Sequence, residues 1–359
     1  MTGVNYIALA VPFFFILIAI ELFVARRRRV RVYRLGDAIN DLSCGVTQQV
    51  VVLFTSVFLL SIYDGVYQHR IVSWSPRLGV VPWLIAFVGV DFLYYWWHRL
   101  SHEVNLLWAA HVVHHQSEDY NLAVALRQAV LTSWTGVPFY LPLALLGVPP
   151  LVYAAMLSLS TLYQFWIHTQ LVHRLPRVLE LVLNTPAHHR VHHAINPQYL
   201  DKNYGAILIV WDRLFRTFAD ENEAPVYGIT KPLASYNPAW AQVHYFVEMA
   251  SMIWRAPRWR DKVQVFWRGP EWAPRGLEKP APTAVRPETT IKYDPVPRAP
   301  AAVIVVVFGV LVALAFSLML LHTKLPSLVL VGGALTVLVG VQVMGLVVEG
   351  GAGKPPDVS

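Results

Sequence analysis

Histidines are concentrated in two short stretches of the chain. Residues 98–115 and 188–193 hold nine histidines, whereas an even spread of 14 over 359 residues would place about one there. Packed imidazoles repel one another when charged and need hydrogen-bond partners when neutral and buried. A metal removes both difficulties because it takes the ring lone pairs. The concentration therefore predicts a metal centre.

The spacing of these histidines places them on shared helix faces. Residues separated by three or four positions lie on one side of a helix, as His98 and His102 do. One further histidine, His168, closes a different apolar segment. The predicted metal ligands are His98, His102, His111, His114, His115, His168, His188, His189, His192 and His193. All of them except His168 and His188 are also predicted to be catalytic.

The number of ligands narrows the choice of metal. A single zinc ion takes three or four ligands, and HEVNL at 102–106 lacks the second histidine of the HExxH zinc protease motif. Bis-histidine haem would use pairs on facing helices rather than triplets at helix ends. Two metal ions with four or five nitrogens each fit the count, and imidazole suits iron. A membrane-facing di-iron site indicates oxygen chemistry on lipid C–H bonds.

The elements that position these histidines are membrane helices. The chain is 55% hydrophobic and only 14% charged, and an apolar segment of about 20 residues crosses a bilayer. Residues 129–168 are interrupted by GVPP, which favours two spans joined by a turn; a re-entrant hairpin would have a similar sequence. The predicted fold is all-α and polytopic, with about seven transmembrane helices. The other five segments are 4–24, 43–62, 78–97, 301–321 and 326–348.

Basic residues predict the orientation. With the N-terminus outside, only Arg70, Arg77 and Lys324 of the 29 lysines and arginines lie in outer loops. Basic residues favour the cytosolic side, so both histidine stretches are predicted to be cytosolic. The expected location is a bacterial inner membrane, or the endoplasmic reticulum if the source is eukaryotic.

The remaining sequence suggests a further division of the chain. The predicted units are N-terminal membrane helices (1–97), a histidine-rich core with a two-helix membrane hairpin (98–220), a cytosolic or interfacial segment (221–300) and C-terminal membrane helices (301–359). Residues 252–272 alternate arginine or lysine with tryptophan, a composition typical of contact with lipid headgroups. No nucleic-acid partner is expected beside so many membrane spans.

The motifs HxxxH, HxxHH and a second HxxHH, in this order, resemble the fatty acid hydroxylase and sterol desaturase superfamily, in particular its alkylglycerol monooxygenase branch. The resemblance covers about residues 90–220. It implies two irons held by the histidines, a lipid substrate, O2, and tetrahydrobiopterin as electron donor, with Glu103 beside the pterin. It also implies cleavage of O-alkylglycerols to a fatty aldehyde and glycerol.

Alternatives to this reading stay open. The chain could be a fatty acid or sterol hydroxylase or desaturase that takes electrons from another donor, such as a redox protein. A non-catalytic metal transporter is disfavoured because its ligands should lie within the spans. Glu103 could equally be the partner of a histidine. Asp91, an acid inside a predicted span, is expected to orient a ligand imidazole or to bond to a neighbouring span.

Overall fold

The computed structural model describes residues 6–74, 79–279 and 284–350. Within these ranges it is helical, without strands, and its β-type pairing is limited to the isolated bridges Leu183–Leu208 and Ala194–Tyr227. The all-α prediction is confirmed. The helices are α1 (Tyr6–Arg28), α2 (Leu35–Tyr67), α3 (Val81–Glu103), α4 (Asn105–His115), α5 (Thr132–Leu145), α6 (Pro150–Trp166), α7 (Arg177–Val182), α8 (Pro186–His192), α9 (Val210–Leu214), α10 (Pro238–Arg255), α11 (Trp259–Trp267), α12 (Ala301–Leu321) and α13 (Ser327–Glu349).

Four of the described helices are long and apolar enough to cross a membrane. They confirm the predicted spans near both ends of the chain, and the protein is an integral membrane protein. The helix α3 is 23 residues long but ends in a polar turn, and α5 and α6 have only 14 and 17 residues, short of the roughly 20 that a span needs. The count of seven spans therefore stays a prediction. The four spans are Leu9–Arg28, Leu35–Tyr67, Ala301–Leu321 and Ser327–Glu349.

The helix α2 is the centre of the membrane part. Its first half packs against α12 and α13 through an apolar core that includes Ile39, Val50, Phe308 and Val341. Its second half packs against α5. The chain turns at proline before α12 and α13, where Pro300 and Pro326 precede the first helical residues. Proline suits a helix start because an N–H group there has no carbonyl partner within the helix, so its absence costs no hydrogen bond.

The hairpin of α5 and α6 reaches the far end of α2. Ile71, just beyond α2, donates its N–H to the carbonyl of Leu145 at 2.8 Å. The Tyr63 hydroxyl donates to the Val148 carbonyl at 3.0 Å. The turn uses Gly147 at φ +84°, and a Cβ added there would lie 2.0 Å from the carbonyl oxygen of Val72. Only glycine fits this close approach of two chain segments.

The segment between the hairpin and α12 lies at the ends of the membrane helices. It contains the short helices α7, α8 and α9, followed by α10 and α11. Trp254, Trp259 and Trp267 on the last two helices are 85%, 69% and 67% exposed. Placement of these rings among lipid headgroups stays a prediction, as does the division of the chain into four units.

Candidate metal centre

Nine of the ten predicted ligands come together in two groups of buried rings. In each group, one nitrogen from every ring lies within 4.8 Å of the nitrogens of the others. We call them the five-nitrogen group and the four-nitrogen group. The five-nitrogen group consists of His98, His102, His111, His115 and His192, and the four-nitrogen group of His114, His168, His189 and His193.

A break between two helices builds the five-nitrogen group. The chain leaves α3 after Glu103, passes through Val104 in an extended conformation (φ −127°, ψ 117°) and starts α4 at once. The last turns of α3 therefore face the second half of α4. Because His111 and His115 are one turn apart, both point at the pair on α3, namely His98 and His102.

The four-nitrogen group draws on three elements. His114 lies on α4 between two members of the other group, but one residue turns a helix by about 100°, so its ring faces a different direction. His168 follows the end of α6. His189 lies on α8, and His193 is the residue that caps it. The helix α8 also supplies His192 to the five-nitrogen group, so α4 and α8 each contribute to both groups.

Backbone carbonyls fix the orientation of four of the rings. In each case the Nδ1 atom lies within hydrogen-bonding distance of a carbonyl oxygen, and a carbonyl can only accept, so Nδ1 must carry the proton. The Nε2 atom of the same ring is then left with its lone pair directed inward. This arrangement is typical of histidines that bind metals. The four bonds are His98 to Tyr204 at 2.7 Å, His114 to Arg127 at 2.9 Å, His168 to Gln164 at 2.7 Å and His192 to Lys202 at 2.9 Å.

Several of the inward atoms lack partners that the protein itself supplies. Nε2 of His114 and Nε2 of His168 lie 3.3 Å apart, yet both rings carry their proton on Nδ1, so two lone pairs face each other. Nε2 of His102, His192 and His193 have no hydrogen-bond partner in the described part of the chain. A buried polar atom without a partner is costly, and a metal ion would satisfy these lone pairs. The donor set therefore fits two metal ions.

Burial keeps these rings neutral. It lowers the pKa of His114 to about 4 and the pKa of His192 to about 3, because charged imidazole loses its hydration in the interior. For His193, burial and neighbouring histidines together lower the pKa well below its usual value. Neutral imidazole is the form that binds metals, so no proton has to be displaced near neutral pH.

A buried ion pair holds α4 against α2. The Arg127 guanidinium donates to Asp41 at 3.0 Å, to the Val113 carbonyl at 2.6 Å and to the Gln116 side chain. Arg127 also provides the carbonyl that accepts from His114. Arg127 and Asp41 are 1% and 0% exposed, so each charge depends on the other for compensation.

The predicted role of Asp91 is wrong. Its carboxylate accepts from the backbone N–H groups of Ile207 and Leu208, at 2.8 and 3.2 Å, and from the Trp211 indole at 2.8 Å. Among the described residues, it forms no hydrogen bond with a ligand imidazole. The reason is distance, since seven residues of helix separate Asp91 from His98 by roughly 10 Å along the axis.

The loop that Asp91 anchors is nevertheless connected to the metal centre. Asp212 accepts from the N–H groups of Tyr204 and Gly205, at 2.8 and 2.7 Å, and from the Thr217 hydroxyl at 2.7 Å. These bonds hold the turn whose Tyr204 carbonyl accepts from His98. Two carboxylates therefore fix the loop, and its backbone fixes the imidazole.

Two predicted site residues lie apart from the groups. His188 belongs to neither, and its ring meets Phe218 edge-on with centroids 5.3 Å apart. Glu103 accepts from Arg99 at 2.9 Å in a partly exposed ion pair and, in the described part of the chain, has no hydrogen bond to a histidine. A contact between Glu103 and a pterin stays a prediction.

The sequence did not indicate the groups that orient the imidazoles. The carbonyls of Gln164, Lys202 and Tyr204 are backbone atoms, which no side-chain pattern can reveal. Asp212 offered a weak signal, since an acid beside Trp211 in an apolar stretch is unusual. The role of Arg127 depends on Asp41, which lies 86 residues away.

Comparison with known proteins identifies the domain that contains this centre. Residues 83–217, which include all nine grouped histidines, match the model of the family described as fatty acid hydroxylase. We refer to residues 83–217, after the family model that they match, as the hydroxylase domain. The predicted resemblance to this family is confirmed, and no solved structure matches the chain.

Curated relatives extend the similarity beyond the hydroxylase domain. The chain is 42% identical over 292 residues to alkylglycerol monooxygenase of Homo sapiens and 38% identical over 296 residues to that of Xenopus tropicalis. Each alignment covers 81% of this chain and 65% of the relative, so the chain spans about two thirds of their length. It is also 29% identical over 147 residues to ornithine lipid hydroxylase OlsE of Rhizobium tropici, covering 41% of this chain and 43% of that protein.

Proposed function

We propose that the protein is a membrane di-iron monooxygenase that hydroxylates O-alkylglycerols at the carbon next to the ether oxygen. The observation that carries the metal assignment is the pair of inward Nε2 lone pairs of His114 and His168, which face each other at 3.3 Å. The substrate class is supported by the 42% identity to human alkylglycerol monooxygenase.

The two groups would each hold one iron. When bound, the irons would supply the activation of O2. The chain contributes neutral nitrogen donors, fixed ring orientations and a buried environment that excludes water. The nine ligands would be the members of the five-nitrogen and four-nitrogen groups, with His188 outside them.

The reaction needs little further acid–base help from the protein. One oxygen atom of O2 enters the C–H bond and the other leaves as water, with two electrons and two protons from a reduced donor. The hydroxylated ether carbon is a hemiacetal, which separates into a fatty aldehyde and glycerol. The donor is proposed to be tetrahydrobiopterin, bound near Glu103.

The proposed topology has seven spans, an outer N-terminus and a cytosolic metal centre. The hairpin turn contacts the far end of α2 through Ile71 and Tyr63, which supports its passage across the bilayer. Arg26, Arg27 and Arg28 end α1 on the side of the histidines, as expected for the cytosolic side. A reporter fused after Ser359 should be active only in the cytosol; activity outside the cell would contradict this orientation.

Metal analysis and turnover test the proposal together. Purified protein is expected to hold two irons and to convert an alkylglycerol to aldehyde with O2 and tetrahydrobiopterin. The matched control is His69→Ala, since this exposed histidine lies outside both groups. One tightly bound zinc that survives in His114→Ala would overturn the di-iron assignment.

A fatty acid or sterol hydroxylase using another donor is the second candidate. It is favoured by the similarity to the ornithine lipid hydroxylase and by 27% identity over 183 residues to a sterol desaturase of Aspergillus fumigatus. Iron-loaded enzyme that gives no aldehyde, but hydroxylates an acyl lipid or a sterol with a different reductant, would establish this candidate instead.

A further inference from the structure

An apolar cavity lies between α1, α2 and α12, outside the metal centre. Its volume is about 480 Å³, within the range of roughly 300–1,000 Å³ typical of small-molecule sites. Phe15 and Ile18 line it from α1, Ile39 from α2, and Val312 and Ala313 from α12. Apolar side chains on every wall suit a hydrocarbon and disfavour a polar ligand.

The shape of the cavity follows the membrane helices. On α1 it extends from Val11 to Leu22, which is about 16 Å at 1.5 Å per residue. The three helices that line it are all candidate membrane spans. An occupant would therefore be elongated and would lie along the direction of the lipid chains.

Hydrogen-bonded side chains link one end of the cavity to the segment that carries His168. Leu22 and Tyr33 line that end, and the neighbouring Glu21 accepts from the Tyr33 hydroxyl. Glu21 also accepts from Thr169, the residue after His168 of the four-nitrogen group. The cavity thus ends at a small set of polar groups, one residue away in sequence from a metal ligand.

We propose that this cavity binds the alkyl chain of the substrate, with the glycerol end of the lipid toward Tyr33 and Glu21. This inference rests on the proposed function, in which the reactive carbon is the first carbon of the alkyl chain, bonded to the ether oxygen of the glycerol. A lipid with its chain between the spans and its head at the end formed by Tyr33 and Glu21 would present that carbon on the side of the cavity that faces the segment of His168.

Two glycines allow a matched test. Gly309 on α12 lines the cavity, and Gly332 on α13 does not. A Cβ added at either position would meet no atom of the described residues within 4 Å, so Gly309→Leu and Gly332→Leu introduce the same side chain without a clash at Cβ. Gly309→Leu fills the cavity, and Gly332→Leu controls for the change in helix propensity.

The experiment measures binding of 1-O-alkylglycerols, from dodecyl to octadecyl, to purified iron-loaded protein. Gly309→Leu is expected to weaken octadecylglycerol binding about tenfold or more, because loss of about two buried methylenes has this effect. The affinity for dodecylglycerol should fall less, and Gly332→Leu should bind both lipids with the affinity of the unchanged protein. Iron content should be equal in all three.

An alkylglycerol with a photoreactive group at the chain end locates the site directly. Labelling of α1 or α12, and its loss in Gly309→Leu, would support the assignment. Labelling elsewhere, equal binding by both variants, or a phospholipid that alkylglycerol cannot displace would overturn it. If unchanged protein turns over alkylglycerol but is labelled elsewhere, only the cavity assignment fails. If it turns over none, the proposed function fails and the substrate assignment with it.

Discussion

The hydroxylase domain and the C-terminal helix pair are stabilised in different ways. In residues 83–217, buried histidines, arginines and carboxylates form specific hydrogen bonds, such as Asp212 to the 204–205 backbone within the region and Arg127 to Asp41 of α2. In α12 and α13 the buried residues are apolar or glycine, including Phe308, Val337 and Val341.

This difference predicts different tolerance to mutation. A buried charge or hydrogen-bond acceptor has one geometry in which it is satisfied, so losing its partner is costly. Apolar contacts are individually small and adjust to substitutions of similar volume. We therefore expect the metal centre to fail abruptly and the C-terminal pair to change gradually.

Removal of a ligand should have the largest effect. His114→Ala or His168→Ala deletes one member of the four-nitrogen group and should remove at least one iron and nearly all turnover. Removing a group that only orients a ligand already costs about 10- to 100-fold, so the loss should exceed that. Iron analysis and aldehyde assays measure it, with His69→Ala as control. Two irons retained in His168→Ala would show that His168 is not a ligand.

The next largest effect is expected at the buried ion pair. Arg127→Leu leaves Asp41 uncompensated and should lower the free energy of unfolding by about 3–5 kcal/mol, measured by thermal unfolding in detergent. Arg127→Leu combined with Asp41→Leu should recover part of that loss, because no charge then remains buried alone. A double variant as unstable as the sum of the two single ones would argue against the pair.

Asp212→Ala should loosen metal binding without unfolding the protein. The Tyr204 and Gly205 N–H groups lose their acceptor, which costs about 1–3 kcal/mol, and the carbonyl that orients His98 becomes free to move. Chelator should then remove iron about 10- to 100-fold more readily. Asp212→Asn keeps one acceptor oxygen and should recover part of the affinity. Unchanged iron release in Asp212→Ala would separate this loop from the centre.

The hairpin turn should show a smaller and local effect. Gly147→Ala puts a Cβ at a positive φ and within 2.0 Å of the Val72 carbonyl. Left-handed backbone costs a residue with a Cβ about 1–2 kcal/mol, with displacement of Val72 in addition. The midpoint temperature of thermal unfolding should fall, while the protein should still hold two irons. The matched change Gly79→Ala, also at positive φ but with no atom of the described residues within 4 Å of the added Cβ, should cost less.

The smallest effect is expected in the C-terminal pair. Gly332→Leu places a larger apolar side chain on α13 where no described atom lies within 4 Å of the added Cβ, and it should change stability by no more than the helix-propensity difference of about 1 kcal/mol. Thermal unfolding measures this. A loss as large as that of Arg127→Leu would remove the contrast between the two regions.

The sequence by itself determined the helical membrane class, the four long spans, and the nine histidines, out of ten predicted ligands, that the structure brings together. Those features depend on residue type and local spacing: apolar runs of sufficient length, and histidines three or four positions apart. His188 has the same spacing as its neighbours, yet it lies on the side of α8 that faces Phe218. Spacing places residues on a helix face, but it does not say what that face meets.

Only the tertiary structure decided how the histidines divide into two groups and what orients them. His114 and His115 are adjacent in sequence but belong to different groups, because α4 passes between the ends of α3 and α6. The Tyr204 carbonyl reaches His98 across 106 residues, and Asp91 acts on the loop rather than on an imidazole. Such pairings depend on where separate segments meet, and backbone acceptors are present at every residue, so no local pattern distinguishes the few that are used.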